Sequence, residues 1–143
     1  MAEPIYLLDT NICIYIRRER PKEVLARFEA LSPGAAAISV VTFGELLYGI
    51  SKSGNDEQAM SVLERFTMLV PVLPLTAAVA RSYGTIRHEL SRTGNIIGNN
   101  DLWIAAHALS LGLTVVTNNE SEFQRVQKLK CENWIAGERA IGQ

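Results

Sequence analysis

Three acidic residues stand where an α/β chain brings side chains to one edge of its sheet. Asp9 closes the apolar run Ile5-Tyr6-Leu7-Leu8, Glu45 follows the run Ala36 to Val41, and Asp101 opens a helical pattern that leads into the run Leu113 to Thr117. Short apolar runs of this kind fit strands buried on both faces of a parallel sheet, and ligands bind beyond the carboxyl ends of such strands. Asp101 shares a helical face with Ile104, Ala105 and Ala108, so its carboxylate is expected to point inward. A buried carboxylate is costly unless it is paired or binds a metal, and no Lys or Arg adjoins any of the three acids in sequence. Oxygen donors without a Cys or His cluster favour magnesium or manganese over zinc. Such an ion can orient a phosphodiester, lower the pKa of an attacking water and stabilise the departing oxyanion.

Each acid also has a local reading that involves no chemistry. Asp9, with Thr10 and Asn11, has the residue types of a helix N-cap; Thr42-x-x-Glu45 has the spacing of a capping box; Asn100 or Asp101 can cap the helix that follows. His88 and His107 fall in expected helices, with His107 off the Asp101 face, and read as ordinary helix residues rather than a catalytic pair.

The elements that must position these residues follow from periodicity and punctuation. Strands are expected over Ile5–Leu8, Ala36–Val41 and Leu113–Thr117. The run Val70–Leu75 carries Pro71 and Pro74 and suits an edge strand or an irregular segment, and Lys130–Ile135 suits a last edge strand. Helices are expected from Thr10 or Asn11 to about Arg18, over Lys22–Leu31 after Pro21, from Thr42 to about Ser51, over Asp56–Leu69, from Thr76 to Gly94, over Asp101–Leu111 with Gly112 as C-terminal cap, and briefly around Phe123. Strands alternating with helices argue for an α/β domain with a mainly parallel sheet between helices.

The chain of 143 residues is 48% hydrophobic, which suits a single domain over 1–143, with a core over about 5–135 and a loose tail after Gly137. A formal net charge of −1 argues against a generally basic nucleic-acid coat and leaves room for a local basic patch. Arg17, Arg18, Arg20 and Lys22 form one such cluster, and Arg87 and Arg92 precede the Asp101 loop. Cys13 and Cys131 lie far apart without metal-type spacing, which fits a reducing cytoplasm. No segment has the length of a membrane span, and the N-terminus lacks a signal-peptide pattern, so a soluble, unexported protein is expected.

Four segments taken together resemble the PIN-domain ribonucleases of the VapC toxin family: Leu8-Asp9-Thr10-Asn11; Thr42-Phe43-Gly44-Glu45-Leu46-Leu47-Tyr48-Gly49; Ile97 to Leu109 around Asn99-Asn100-Asp101; and Val115-Val116-Thr117-Asn118-Asn119 with Glu122-Phe123. The resemblance runs in register from about Ile5 to Trp134. It implies a three-layer α/β/α domain and a magnesium-dependent endoribonuclease centre, with manganese able to substitute. It implies Asp9, Glu45 and Asp101 as metal-binding acids, with Thr10, Asn11, Thr117 and Asn119 around them. Relatives often carry a fourth acid where this chain has Asn119, which leaves open whether Asn119, Glu120 or Glu122 serves there.

The resemblance further implies cleavage of structured RNA such as tRNA to 3′-hydroxyl and 5′-phosphate ends. A VapB-type antitoxin is the implied partner, lying along apolar helices such as that carrying Phe43, Leu46, Leu47, Tyr48 and Ile50, with operator DNA bound through the antitoxin and the toxin as a homodimer. Two other functions remain open at this point. A non-catalytic RNA- or protein-binding module would keep the fold alone. A phosphoryl-accepting receiver would want adjacent acids after the first strand and a Lys after a late one, and the sequence has Leu8 before Asp9 and Asn118-Asn119 after Thr117.

Overall fold

The computed structural model describes residues 1–135. The expected loose tail after Gly137 lies outside the described residues. In chain order the elements are β1 (Tyr6–Leu8), α1 (Thr10–Arg18), α2 (Lys22–Glu29), β2 (Ala36–Ser39), α3 (Val40–Lys52), α4 (Glu57–Leu69), β3 (Val72–Leu73), α5 (Ala77–Arg92), α6 (Asn99–Leu111), β4 (Thr114–Val116), α7 (Glu120–Phe123) and β5 (Cys131–Glu132). The five strands form one sheet in the order β3-β2-β1-β4-β5, and every pairing is parallel.

Side-chain alternation in the short strands explains why both faces are covered. Leu7 packs with Ala37 and Val115 into the cluster under α5, α6 and α7, whereas Leu8, Ala36, Ile38 and Val116 face α1 and α2. Leu7, Leu8, Ile38, Val115 and Val116 are fully buried, which is the burial a central parallel sheet requires. Ile5 is the exception: it lies outside β1 and is 52% exposed. On one face Trp134 meets Tyr6 edge-on with centroids 5.4 Å apart, and Arg27 lies 5.3 Å from the Trp134 ring centroid.

The edge position of β3 is as expected, since Pro71 and Pro74 on either side of it supply no amide to a ladder and suit a place where one side needs no partner. Thr76 caps α5 by accepting from the Val79 amide, and Gly112 ends α6 at φ 71°, a left-handed conformation that favours glycine.

Three helix starts differ from the sequence expectation. Asp9, rather than Thr10 or Asn11, caps α1. The second strand stops at Ser39, whose hydroxyl accepts from the Val41 amide, so α3 begins two residues before Thr42. The apolar run Ala36 to Val41 hid this, because Val40 and Val41 continue the hydrophobic pattern although they are helical. Likewise α6 begins at Asn99 with Gly98 as its N-cap, two to three residues before the polar caps Asn100 and Asp101 that the sequence offers.

The strand order places a switch point between β1 and β4, where the chain leaves adjacent strand ends in opposite directions. A crevice opens beyond the carboxyl ends of strands at such a point. Asp9 follows β1, Thr117 follows β4, and the Asp9 amide donates to the Val116 carbonyl at 3.0 Å, so the two stand side by side at its floor.

Candidate active site

Asp9 is 6% exposed and uses both carboxylate oxygens. Oδ1 accepts from the Ile12 amide at 3.2 Å, and Oδ2 accepts from the Thr117 hydroxyl at 2.5 Å. Capping and site membership are therefore one arrangement: the first turn of α1 fixes one oxygen, and β4 fixes the other across the switch point. Burial raises the Asp9 pKa; the bonds from Thr117, Ile12 and the Asn11 backbone oppose that, and the Glu45 charge adds to it. Thr117 is also fully buried, and its oxygen in turn accepts from the Asn119 amide at 2.9 Å.

Glu45 belongs to the second turn of α3, and its carboxylate turns away from its own helix start. One oxygen accepts from Thr10 Oγ1 and the other from Asn100 Nδ2 at 3.0 Å. These bonds to α1 and α6 replace the capping box that Thr42-x-x-Glu45 suggests. The Thr42 side chain is instead buried, and its hydroxyl has no hydrogen-bond partner among the described residues.

Asp101 is the third residue of α6 and half-buried. Its carboxyl is raised to about 6 by burial first, then by the charges of Glu122, Asp9 and Glu45, while a hydrogen bond from the Asn119 side chain acts the other way. Those repulsions show that the four carboxylates share one electrostatic site. Asn119 also holds Glu122 below its usual range, and the Gly98 amide adds a long contact of 3.4 Å to Glu122. The Asn119 amide thus bridges Asp101 and Glu122, and Glu122 is the acid that approaches the fourth position. Glu120 turns aside to accept from Asn133 at 3.2 Å.

The expected neighbours divide. Thr10, Thr117 and Asn119 touch the acids directly. Asn11 does so only through its backbone, since its exposed side chain faces Asn118 at 3.5 Å. Asn118 donates to the Tyr15 hydroxyl at 2.9 Å and forms a polar rim on that side. Asn100 is the contact that sequence reasoning assigned only to capping; its place beside Asp101 in Asn99-Asn100-Asp101 was the available signal. His107 is fully buried with Nδ1 2.8 Å from Ser39 Oγ, while His88 is exposed on α5. The histidines are thus not placed as an acid–base pair, as the helix pattern led us to expect.

The donor set is one suited to a hard divalent cation. The acids' hydrogen-bond donors are neutral, and among the described residues none of the four forms an ion pair with Lys or Arg, although the charge of Arg125 adds to what holds Glu122 low. Among the described residues no three His, Cys, Asp or Glu side chains surround one point closely enough to hold an ion as they stand. Their hydrogen bonds account for the spread, with Glu45 drawn toward Thr10 and Asn100 and Asp9 toward Thr117. The charges of Glu122, Asp9 and Glu45 all act on Asp101, which puts the four acids at one end of the sheet.

Arg125, whose charge acts on Glu122, donates to the Ile96 carbonyl at 3.0 Å. Arg92 pairs with Glu89 and Arg27 with Glu132, and both cysteines are free thiols. A groove of about 730 Å³ between α1, α3 and α4 opens beside the acids, lined by Ile14, Arg17, Leu46, Ile50 and Val62 and reaching Thr10 and Glu45. The apolar helix α3 is neither wholly buried nor wholly open: Ile50 is 4% exposed and Tyr48 67%.

Comparisons with known proteins agree with this geometry. The PIN domain family matches residues 6–129. Ribonuclease VapC2 of Haemophilus influenzae is 45% identical over 130 residues, covering 91% of this chain and 98% of the relative. The tRNA(fMet)-specific endonuclease VapC of Shigella flexneri is 46% identical over 129 residues, covering 90% and 97%. The crystal structure of VapBC2 from Rickettsia felis bound to a promoter DNA fragment contains a chain that superposes with a TM-score of 0.83 at 42% identity, covering 90% of this chain and 98% of that one. Identity at this level over nearly the whole length of each relative leaves one assignment: the chain belongs to the PIN domain family and, within it, to the VapC ribonuclease toxins of VapBC toxin–antitoxin systems.

Proposed function

We propose that the chain is a magnesium-dependent endoribonuclease, with manganese able to substitute, that hydrolyses a phosphodiester bond in structured RNA and leaves 3′-hydroxyl and 5′-phosphate ends. The observation that carries this is the gathering of Asp9, Glu45, Asp101 and Glu122 at the sheet's switch point, with neutral hydrogen-bond donors only among the described residues. Asp9, Glu45 and Asp101 would hold the ion, with Glu122 as the fourth carboxylate and Asn119 bridging it to Asp101. Such an ion supplies Lewis acidity toward the phosphodiester and its attacking water.

The chain's own residues do the rest. Thr117 and the Ile12 amide fix the orientation of Asp9, so that one carboxylate does not swing as the others gather. Thr10 and Asn100 do the same for Glu45 from two different helices. Asp101, raised by burial and by the charges of Glu122, Asp9 and Glu45, gains when that charge is neutralised. Initiator tRNA is the first substrate to test, because the Shigella relative is named for it.

The groove beside Glu45 suits an antitoxin segment of the VapB type, whose apolar residues would lie on Leu46, Ile50 and Val62 with a cation reaching the acids. By the same reading the toxin is a homodimer in the cytoplasm and meets operator DNA only through the antitoxin; the Rickettsia felis VapBC2 complex is bound to promoter DNA. Among the described residues no helix is long and apolar enough to cross a membrane.

The test is incubation of the purified chain, stripped of antitoxin, with initiator tRNA and bulk tRNA, in magnesium or in chelator, followed by mapping of the product ends. Discrete cuts that need the metal and carry 5′-phosphates are expected. Cleavage that persists in chelator, or cyclic-phosphate ends, would overturn the mechanism; no cleavage by a folded protein in magnesium would return the binding module to first place.

A further inference from the structure

The fold buries a serine–histidine pair that the proposed chemistry does not use. Ser39 ends β2 and caps α3, His107 belongs to α6, both are fully buried, and Ser39 Oγ lies 2.8 Å from His107 Nδ1. The same oxygen accepts from the Val41 amide at 3.1 Å, so the hydroxyl's one hydrogen is left for Nδ1. Nδ1 is then the acceptor, and the imidazole is neutral with its proton on Nε2. Burial, which lowers the pKa of the ring, keeps it in that form.

Asn100 and His107 are seven positions apart on α6, two turns and about 10 Å along its axis, and so share one face. That face is bonded to the β2–α3 segment twice: Asn100 donates to Glu45 at 3.0 Å, and His107 accepts from Ser39. The partners run in opposite order along the two elements. A single bond would leave α6 free to pivot about it, whereas two at separate points fix its angle and its rotation. Asp101 sits in the same turn as Asn100, so its place relative to Glu45 and Asp9 follows from that angle. Apolar packing is also present here, with Val41 of α3 against the cluster that holds Ile104, Ala105 and Ala108 of α6. Such contacts tolerate sliding, while a buried hydrogen bond demands one distance and direction. Filling the space alone would not call for two polar groups, since burying them costs free energy that an apolar pair avoids.

We infer that Ser39 and His107 are positioning residues of the metal centre, their bond holding α6 at the angle that sets Asp101 against Glu45 and Asp9. The inference rests on the metal-dependent ribonuclease reading above and adds the buried contact that aligns acids from two different helices.

The experiment is magnesium binding by the full chain, read by titration calorimetry without RNA, beside kcat and KM for initiator tRNA and Tm in chelator. His107→Leu is expected to weaken magnesium binding about tenfold or more and to lower kcat by a similar factor, with KM for the tRNA nearly unchanged. His107→Asn, whose Oδ1 takes the place of Nδ1 as acceptor, should recover most of the affinity. Ser39→Ala should weaken magnesium binding as His107→Leu does, and the double variant no further than either alone. Trp134→Ala is the control for general destabilisation: it removes a buried ring from the other face of the sheet, and should lower Tm while leaving magnesium affinity as it is. Wild-type magnesium affinity in folded His107→Leu would make the bond a matter of packing and overturn the inference, as would an equal loss of affinity in Trp134→Ala. Should His107→Leu fail to fold, Ser39→Ala, which keeps the imidazole, is judged by the same criterion. A wild-type chain that neither binds magnesium nor cuts RNA overturns the ribonuclease reading itself, a result distinct from a wild-type chain that does both and a His107 variant that matches it.

Discussion

Replacing Thr117 by Val tests whether the acidic site is held by hydrogen bonds that the fold itself supplies. The two side chains are nearly isosteric, so packing at the end of β4 is kept and only the hydroxyl is lost. That hydroxyl donates to a buried carboxylate, Asp9 Oδ2, and accepts from the Asn119 amide. A hydrogen bond to a charged group contributes about 1.5–3 kcal/mol. Water can replace part of the Asn119 contact, because Asn119 is only partly buried, whereas the Asp9 side has little room for it.

We therefore expect Thr117→Val to cost about 2 kcal/mol at neutral pH in chelator, a fall in Tm of roughly 4–8 °C for a domain of this size. The direction with pH follows from Thr117's lowering of the Asp9 pKa. Without it the ionised form is less favoured, so the stability difference should be larger at pH 8 and shrink as pH falls and Asp9 takes up its proton. Urea unfolding monitored by Trp103 and Trp134 fluorescence reads both quantities. A cost below about 0.5 kcal/mol at pH 8, or one independent of pH, would show that Asp9 is held by something other than Thr117.

Four further outcomes are expected. Asp9→Asn, Glu45→Gln and Asp101→Asn should each lower RNA cleavage by about a hundredfold or more while circular dichroism stays native, a loss typical of removing one transition-state stabiliser; growth of cells expressing them gives the parallel readout. Asn119→Asp replaces the donor to Asp101 and Glu122 with another acid, so the metal-free protein should melt lower and gain more in Tm from magnesium than the wild type. Burial lowers the His107 pKa from 6.5, so the unfolded chain takes a proton first and stability should fall as pH drops below about 6.5; His107→Gln should remove that segment of the profile, against an Asp101 contribution of opposite sign. Trp134→Ala removes a buried ring packed on Tyr6 and Arg27 and should cost roughly 3–5 kcal/mol in urea unfolding.

The sheet and most helix positions were legible because their signals are local. Leu7 and Leu8 alternate between two cores, the prolines at 71 and 74 demote β3 to an edge, and Gly112 marks where α6 ends. Helix starts were less legible because capping residues are interchangeable in sequence: Ser39, Thr42, Asn100 and Asp101 all have the right chemistry, and tertiary partners decide which one caps. The same ambiguity concealed part of the site. Glu45 matches a capping box on spacing, yet its bonds run to Thr10 and Asn100, which lie 35 and 55 residues away. Glu122 and Asn119 could not be ranked from sequence, because the question depended on which side chain the turn after Thr117 directs at Asp101. The Ser39–His107 bond, which ties α6 to the start of α3, has no signature within either element.

These contacts also explain how a pocket of four carboxylates exists in a chain with fourteen Lys and Arg residues. The site acids are held by hydroxyls, amides and backbone N–H groups, while Arg92, Arg27 and Arg87 are occupied by Glu89, Glu132 and Tyr83. Neutral donors orient a carboxylate without cancelling its charge, so the repulsion that adds to burial in raising Asp101 to about 6 stays available to whatever cation enters. On the proposed function that cation has two sources: the catalytic ion, and a basic side chain of an antitoxin lying in the groove that ends at Thr10 and Glu45. Both would relieve the same repulsion at the same place, so they should compete. Magnesium should therefore weaken binding of a basic antitoxin peptide to the wild-type chain, and weaken it much less when Glu45 is replaced by Gln.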